Sequence, residues 1–176
     1  MSLLITCFED FSTIKENTSR LVASQLSEKY QVLPVSFTRC DENIIEHDHI
    51  IQLGVAQSRD AITIERYAHN LAHSPIQADN DLLRPENEKI LKEGPLALES
   101  TFDYEFFEGL SGDWKWSLSA GSYVCNALYY KSLYRLTKSK IVFIHLPYHL
   151  NQKSPELALE AYRDFVQSIC NKIKSF

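Results

Sequence analysis

Cys125 sits in the run Ser119-Ala120-Gly121-Ser122-Tyr123-Val124-Cys125-Asn126, where an apolar, strand-like stretch gives way to a helical pattern. A thiol in the first turn of a helix faces unpaired backbone amides and the positive end of the macrodipole, which favour thiolate over thiol. One short helix later comes Ile144-His145-Leu146-Pro147-Tyr148, with an imidazole to complete the activation. A cysteine and a histidine following successive strands point to a cysteine hydrolase. A third group is needed to orient the imidazole. The segment Ile62-Thr63-Ile64-Glu65 alternates like a strand and carries a carboxylate among apolar residues, so Glu65 needs a partner.

The elements that must position these groups are legible in outline. Leu3 to Cys7 reads as a buried first strand, and the stretch from Thr18 to Tyr30 as a helix. Val32-Leu33-Pro34-Val35 is a short second strand whose proline places it at an edge or a strand end. A short helix is then expected before Ile50-Ile51-Gln52-Leu53, a third strand ending at Gly54. Residues 61 to 68 look extended, and 73 to 94 form a long polar excursion punctuated by Pro75 and Pro85. Trp116-Ser117-Leu118 enters the Cys125 helix, which is expected to run to about Thr137. Ile141 to Ile144 is the last core strand, with His145 at its end. Ser154 and Pro155 open a terminal helix with an apolar stripe of Ala158, Tyr162, Phe165, Val166, Ile169 and Ile173. Strands alternating with helices predict a single-domain three-layer α/β/α sandwich over residues 1–176, with a mostly parallel or mixed central sheet.

Composition narrows the function. The 176 residues are 44% hydrophobic and 23% charged, enough for one full core. A formal charge of −5 with no dense Lys/Arg block argues against a nucleic-acid footprint or an anionic membrane as the partner. Glu9 and Asp10 follow the first short apolar run, so neither a signal peptide nor a membrane span is expected, and the expected location is cytoplasmic. The four cysteines, Cys7, Cys40, Cys125 and Cys170, form no CxxC pair and are expected to be reduced. Cys7 and Cys170 read as small hydrophobes. His69 and His73 have the spacing of two metal ligands, but the segment reads as extended and no metal is expected there. His47 and His49, flanking Asp48, read as solvated turn residues.

Taken together, three motifs resemble those of the pyroglutamyl-peptidase (pyrrolidone-carboxylate peptidase) family of cysteine exopeptidases. The glutamate motif is matched by Gly54, Ile62, Thr63, Glu65, Arg66, Ala68 and Asn70. The cysteine motif is matched by Ser117, Ser119, Ala120, Gly121, Tyr123, Val124, Cys125 and Asn126, and the histidine motif by Phe143 through Tyr148. The resemblance implies Cys125 as nucleophile, His145 as general base and later acid, and Glu65 as the group that holds the imidazole. It implies that Phe8 and Phe11, with Tyr123 and Val124, wall a slot for the pyroglutamyl ring. It also implies N-terminally pyroglutamylated peptides as partners, with neither cofactor nor metal, and leaves a homo-oligomer open.

The chain departs from the family pattern twice. Cys7-Phe8-Glu9-Asp10-Phe11-Ser12 stands where the family has Gly-Phe-x-Pro-Phe-Gly, and residues 70 to 80 lack an arginine to which the family assigns a part in stabilising the oxyanion. Arg59, His73 and Arg84 are the candidate replacements. Two alternatives follow from these departures: a module that binds pyroglutamyl or other lactam-capped peptides without turnover, and a cysteine hydrolase with another acyl specificity.

Overall fold

The computed structural model describes residues 1–12 and 14–175. A six-stranded sheet runs through the molecule in the order β2-β1-β3-β8-β4-β7. Its strands are β1 (Leu3–Phe8), β2 (Tyr30–Leu33), β3 (His49–Ala56), β4 (Ile62–Glu65), β7 (Trp114–Ser117) and β8 (Lys140–Pro147). β1, β2, β3 and β8 are mutually parallel, whereas β4 pairs antiparallel with β8 and parallel with β7, so the sheet is mixed. A small antiparallel pair, β5 (Tyr67–His69) and β6 (Ala97–Glu99), lies outside it.

Three layers follow from the period-2 alternation of the strands. Ile5, Cys7, Ile51, Leu53, Val142, Ile144 and Leu146 point to one face and share a core with Val22 and Ala23 of α1 (Thr18–Ser24) and with Tyr162, Phe165, Val166 and Ile169 of α3 (Pro155–Lys174). Leu4, Phe8, Ile50, Ile141 and Phe143 point to the other face, against Ala127, Leu128 and Tyr129 of α2 (Val124–Arg135). The buried side chains of the α3 stripe each contribute roughly 1.5–3 kcal/mol. Cys7 and Cys170 are buried in this core, and burial pushes both thiols up to about 12.

Several elements differ from the sequence expectation, β2 among them, which spans Tyr30–Leu33 and ends before Pro34. α1 ends at Ser24 rather than near Tyr30, because Tyr30 is claimed by parallel pairing with Ile5 and residues 25 to 29 must turn the chain back. The helix expected between β2 and β3 is a run of turns. There Asp79 accepts the Phe37 amide (2.8 Å) and Asn43 adopts φ +64°, both of which compete with helical bonding. β3 continues through Gly54 to Ala56, and His145 lies within β8 rather than beyond its end. His49, read as a turn residue, opens β3.

Candidate active site

On β8 the side chains of Ile141 and Phe143 face α2, so His145, two residues on, faces α2 as well. β4 runs antiparallel beside it with Thr63 opposite His145 and Glu65 opposite Phe143. Glu65 is therefore the diagonal, same-face neighbour of His145, and its Oε1 lies 2.7 Å from His145 Nδ1. The Thr63 hydroxyl donates to the same oxygen at 3.1 Å, and the guanidinium of Arg59 bonds both Thr63 and Glu65. Its other terminal nitrogen donates to Ser119 O at 3.0 Å.

Glu65 is fully buried, and an isolated carboxylate there would cost several kcal/mol. Burial itself pushes its pKa upward, but the His145 hydrogen bond and the charges of His145 and Arg59 together outweigh it and hold the carboxyl below its ordinary value. The carboxylate is thus kept ionised as an acceptor for the imidazole.

The third group arrives from α2. Gly54 on β3 is the register partner of His145 on β8. A Cβ placed on Gly54 would lie 3.0 Å from Cys125 Sγ, so the sulfur rests on the bare backbone of the strand beside His145. Gly121, at φ +84°, makes the left-handed turn that aims the chain into α2. The helix start is pinned by Asn126, which accepts the His69 amide (2.8 Å) and donates to the carbonyls of His69 and Leu71 (2.8 and 2.9 Å). Ser122 adds a hydroxyl bond to His73 O (2.8 Å).

Cys125 is the second residue of α2, as its sequence context implies, but its thiol is not depressed. Burial first, and then the Glu65 charge, push it up to about 12, against an opposing contribution from Arg59. The direction is opposite to that of the helix-start field: at a half-buried sulfur facing the cavity beside Glu65, loss of hydration works against the field of one helix terminus.

Cys125 and His145 open onto a cavity of about 110 Å³ lined by Phe8, Phe11, Tyr123 and Val124, the four side chains expected in the slot, and also by Val35 and Val55. Phe11 and Tyr123 meet with ring centroids 5.8 Å apart, and the Tyr123 hydroxyl donates to Ala78 O at 2.9 Å. The cavity opens at the carboxyl ends of β1, β3 and β8, the usual ligand end of a parallel sheet. It is well below the roughly 300–1,000 Å³ of sites that enclose drug-sized ligands, a size suited to one small ring. Clefts of about 560 and 520 Å³ lie elsewhere and contain none of Cys125, His145 or Glu65.

A comparison across families matches residues 1–170 to the pyroglutamyl peptidase model. The chain belongs to the pyroglutamyl peptidase family. It is 31% identical over 191 residues to the pyrrolidone-carboxylate peptidase of Thermococcus litoralis, covering 90% of this chain and 86% of that protein. It is also 31% identical over 195 residues to the pyrrolidone-carboxylate peptidase of Bacillus cereus, covering 94% and 89%. Among solved structures it superposes on the pyrrolidone carboxyl peptidase from Thermus thermophilus with TM-score 0.79 and 30% identity, over 94% of this chain and 98% of that one. A mutant pyrrolidone carboxyl peptidase from P. furiosus gives TM-score 0.82 at 28% identity, over 97% and 99%.

As a pyroglutamyl peptidase family member, the chain is a cysteine omega-peptidase whose departures from the family motifs have visible structural consequences. Ser12, standing where the motif has glycine, adopts φ +47°, the left-handed region that favours glycine. The altered loop is held instead by its acidic residues. Glu9 accepts the Val35 amide (3.2 Å) and the Asn80 side chain (2.8 Å), and Asp10 accepts the Asn17 amide (3.0 Å). Of the candidate replacement cations, His73 accepts the Asn87 amide on its ring (3.2 Å) and Arg84 lines one of the remote clefts. Arg59 stands beside Glu65. The His69 ring meets Leu118 O at 3.2 Å from β5, so it and His73 do not share a helical face. Val35 and Val55 are lining residues that the sequence did not single out, and Gly54, matched only as the start of the glutamate motif, supplies bare backbone under the sulfur, as a glycine inside a strand often marks close approach.

Proposed function

We propose that the chain removes N-terminal pyroglutamyl residues from peptides, with Cys125 as nucleophile, His145 as general base and acid, and Glu65 as the carboxylate that orients the imidazole. The observation that carries this reading is the buried Glu65–His145 bond of 2.7 Å on the sheet face against which Cys125 Sγ rests. His145 takes the thiol proton as sulfur attacks the pyroglutamyl carbonyl, and the carbonyl oxygen becomes an oxyanion. The Cys125 amide lies in the first turn, ahead of the bond from Ala127 N to Tyr123 O (3.1 Å), and serves as one oxyanion donor. The imidazolium then protonates the departing peptide amine. Water attacks the thioester with His145 again as base, and pyroglutamate leaves.

The apolar slot supplies specificity largely by exclusion. A lactam is uncharged, whereas a free N-terminal ammonium in the same space would be buried without a partner, at a cost of several kcal/mol. The intact Glu65–His145 pair supports turnover over mere binding of lactam-capped peptides. Four free cysteines fit a reducing cytosol, and no described helix is long and apolar enough to cross a membrane. The test is release of fluorophore from pyroglutamyl-aminomethylcoumarin. Wild type is expected to turn it over and Cys125→Ala is not; equal rates for the two would end the assignment.

A further inference from the structure

The mechanism above gives Arg59 no role. Arg59 lies in the turn that follows β3, with its amide donating to Ala56 O at 3.4 Å and only 23% of its side chain exposed. One terminal nitrogen bonds Glu65 Oε1, the very oxygen that meets His145 Nδ1, together with the Thr63 hydroxyl. The other reaches across to the Ser119 carbonyl at 3.0 Å. Ser119 belongs to the loop that leads into α2 and Cys125, while Glu65 and His145 belong to the sheet. One planar guanidinium therefore joins the two halves of the catalytic constellation.

We propose that Arg59 is a positioning residue: it clamps the Glu65 carboxylate against His145 and ties that pair to the cysteine-bearing loop at Ser119. The proposal rests on the reading of Cys125, His145 and Glu65 as the catalytic groups. It follows from charge as well as geometry. Glu65 is faced by His145 from β8, by Thr63 on its own strand, by Ser117 from β7 and by Cys125 from α2. Tyr129, also on α2, donates its hydroxyl to the Glu65 carbonyl at 3.1 Å, and neighbouring Arg66 is committed to Glu99. Arg59 brings this cluster the positive charge of a guanidinium, so the carboxylate has a cationic partner besides the imidazole. Without it, the buried carboxylate draws a proton onto the Glu65–His145 pair at rest, and a pair already protonated cannot accept the proton of the thiol.

A planar fork is also the group required to point in two directions at once. Lysine would keep the charge but span only one of the two contacts. Charge and geometry are therefore separable by substitution.

The test compares wild type, Arg59→Met and Arg59→Lys, each first shown to be folded by its thermal transition. Two readouts are taken: the rate of Cys125 alkylation by iodoacetamide, followed by intact mass, and kcat and KM on the coumarin substrate across pH. Arg59→Met is expected to lower kcat by about tenfold to a hundredfold with little change in KM, the cost of a misplaced base. It is also expected to move the acid limb of activity upward by about one pH unit or more and to slow Cys125 alkylation at a fixed, mildly alkaline pH by about tenfold, because a cation that favours the ionised forms of Glu65 and Cys125 is gone. Arg59→Lys is expected to restore the acid limb and the alkylation rate while kcat stays depressed. A folded Arg59→Met enzyme with kcat and alkylation rate both at wild-type values would overturn the clamp, as would lowered thermal stability with an unmoved acid limb and alkylation rate. If Arg59→Met does not fold, Arg59→Lys decides: depressed kcat at an unmoved alkylation rate supports the clamp, and wild-type kcat overturns it. Alkylation needs no pyroglutamyl turnover, so failure of the substrate assignment and failure of the clamp give different results.

Discussion

Cys125 Sγ occupies space that position 54 leaves free only because it is glycine: a Cβ there would lie 3.0 Å from the sulfur and 2.7 Å from the Phe143 ring. Gly54 is also the register partner of His145, so the strand position on which the sulfur rests is the neighbour of the base. Sequence, register and site chemistry meet at this single absent group.

Gly54→Ala is accordingly expected to injure catalysis more than folding. Phe143 and Cys125 must both shift, an overpacking cost of about 1–3 kcal/mol in stability. Displacing the sulfur from the imidazole is expected to lower kcat by about a hundredfold, since a misplacement near 1 Å is enough for that. Steady-state kinetics beside a denaturant melt test this; a variant with normal kcat and lowered stability would show that the sulfur does not depend on this contact.

The raised Cys125 thiol makes a second prediction. Because burial and the Glu65 charge push it up to about 12, the free protein holds a thiol at neutral pH. Alkylation by iodoacetamide is expected to be slow at pH 7 and to accelerate with rising pH, with no plateau near neutrality. A plateau below pH 7 would reveal a preformed thiolate–imidazolium pair and replace general-base attack by ion-pair attack.

How much of this was legible in the sequence depends on which physical signal carried it. β8 and α3 are long, regular and apolar on the correct period, so their place in the core could be read directly. Glu65 was legible because a carboxylate in an alternating strand demands a partner. The end of α1 was not, because parallel pairing of Tyr30 with Ile5 is a long-range constraint that local helical pattern does not contain. The burial acting on the Cys125 thiol was not legible for a related reason: helix position is a local property, whereas desolvation depends on what distant parts of the chain bring beside the sulfur. Arg59 was legible only as one of three cations that could replace the missing arginine. Its actual partners were not, because an arginine in a polar turn looks solvent-exposed until the fold brings Glu65 and Ser119 to it.

Glu65 also ties activity to pH stability. Its carboxyl is held below its ordinary value in the folded chain, so the stability it contributes is complete above the unfolded carboxyl range and is lost as pH falls through the lowered folded value. Glu65→Gln keeps the shape without the charge. It is expected to reduce kcat by about a hundredfold or more through the lost imidazolium partner, and to flatten the acid side of the stability profile. Glu65→Ala leaves Arg59 uncompensated in a largely buried site and is expected to cost about 3–5 kcal/mol. Urea melts of the three proteins at pH 7 and pH 4 separate the effects, and a wild-type profile no steeper than that of Glu65→Gln would remove the linkage.

The substrate slot depends on a different carboxylate. Phe8 and Phe11 bracket Glu9, whose Oε1 accepts the Val35 amide at 3.2 Å and the Asn80 side chain at 2.8 Å, while Asn80 also reaches Asp10 O at 3.1 Å. Val35 and the two phenylalanines line the cavity, so Glu9 joins two of its wall segments, its own loop and that of Val35, without touching the triad. Glu9→Ala strands the Val35 amide and frees the loop, a loss of about 1–3 kcal/mol felt where the ring binds. The expected result is KM raised about tenfold with kcat nearly unchanged, because the interaction lost is one that serves substrate and transition state alike. Glu9→Gln, which keeps the acceptor oxygen, is expected to recover most of the affinity. Equal KM values for wild type and Glu9→Ala would instead assign the shape of the slot to ring packing between Phe11 and Tyr123.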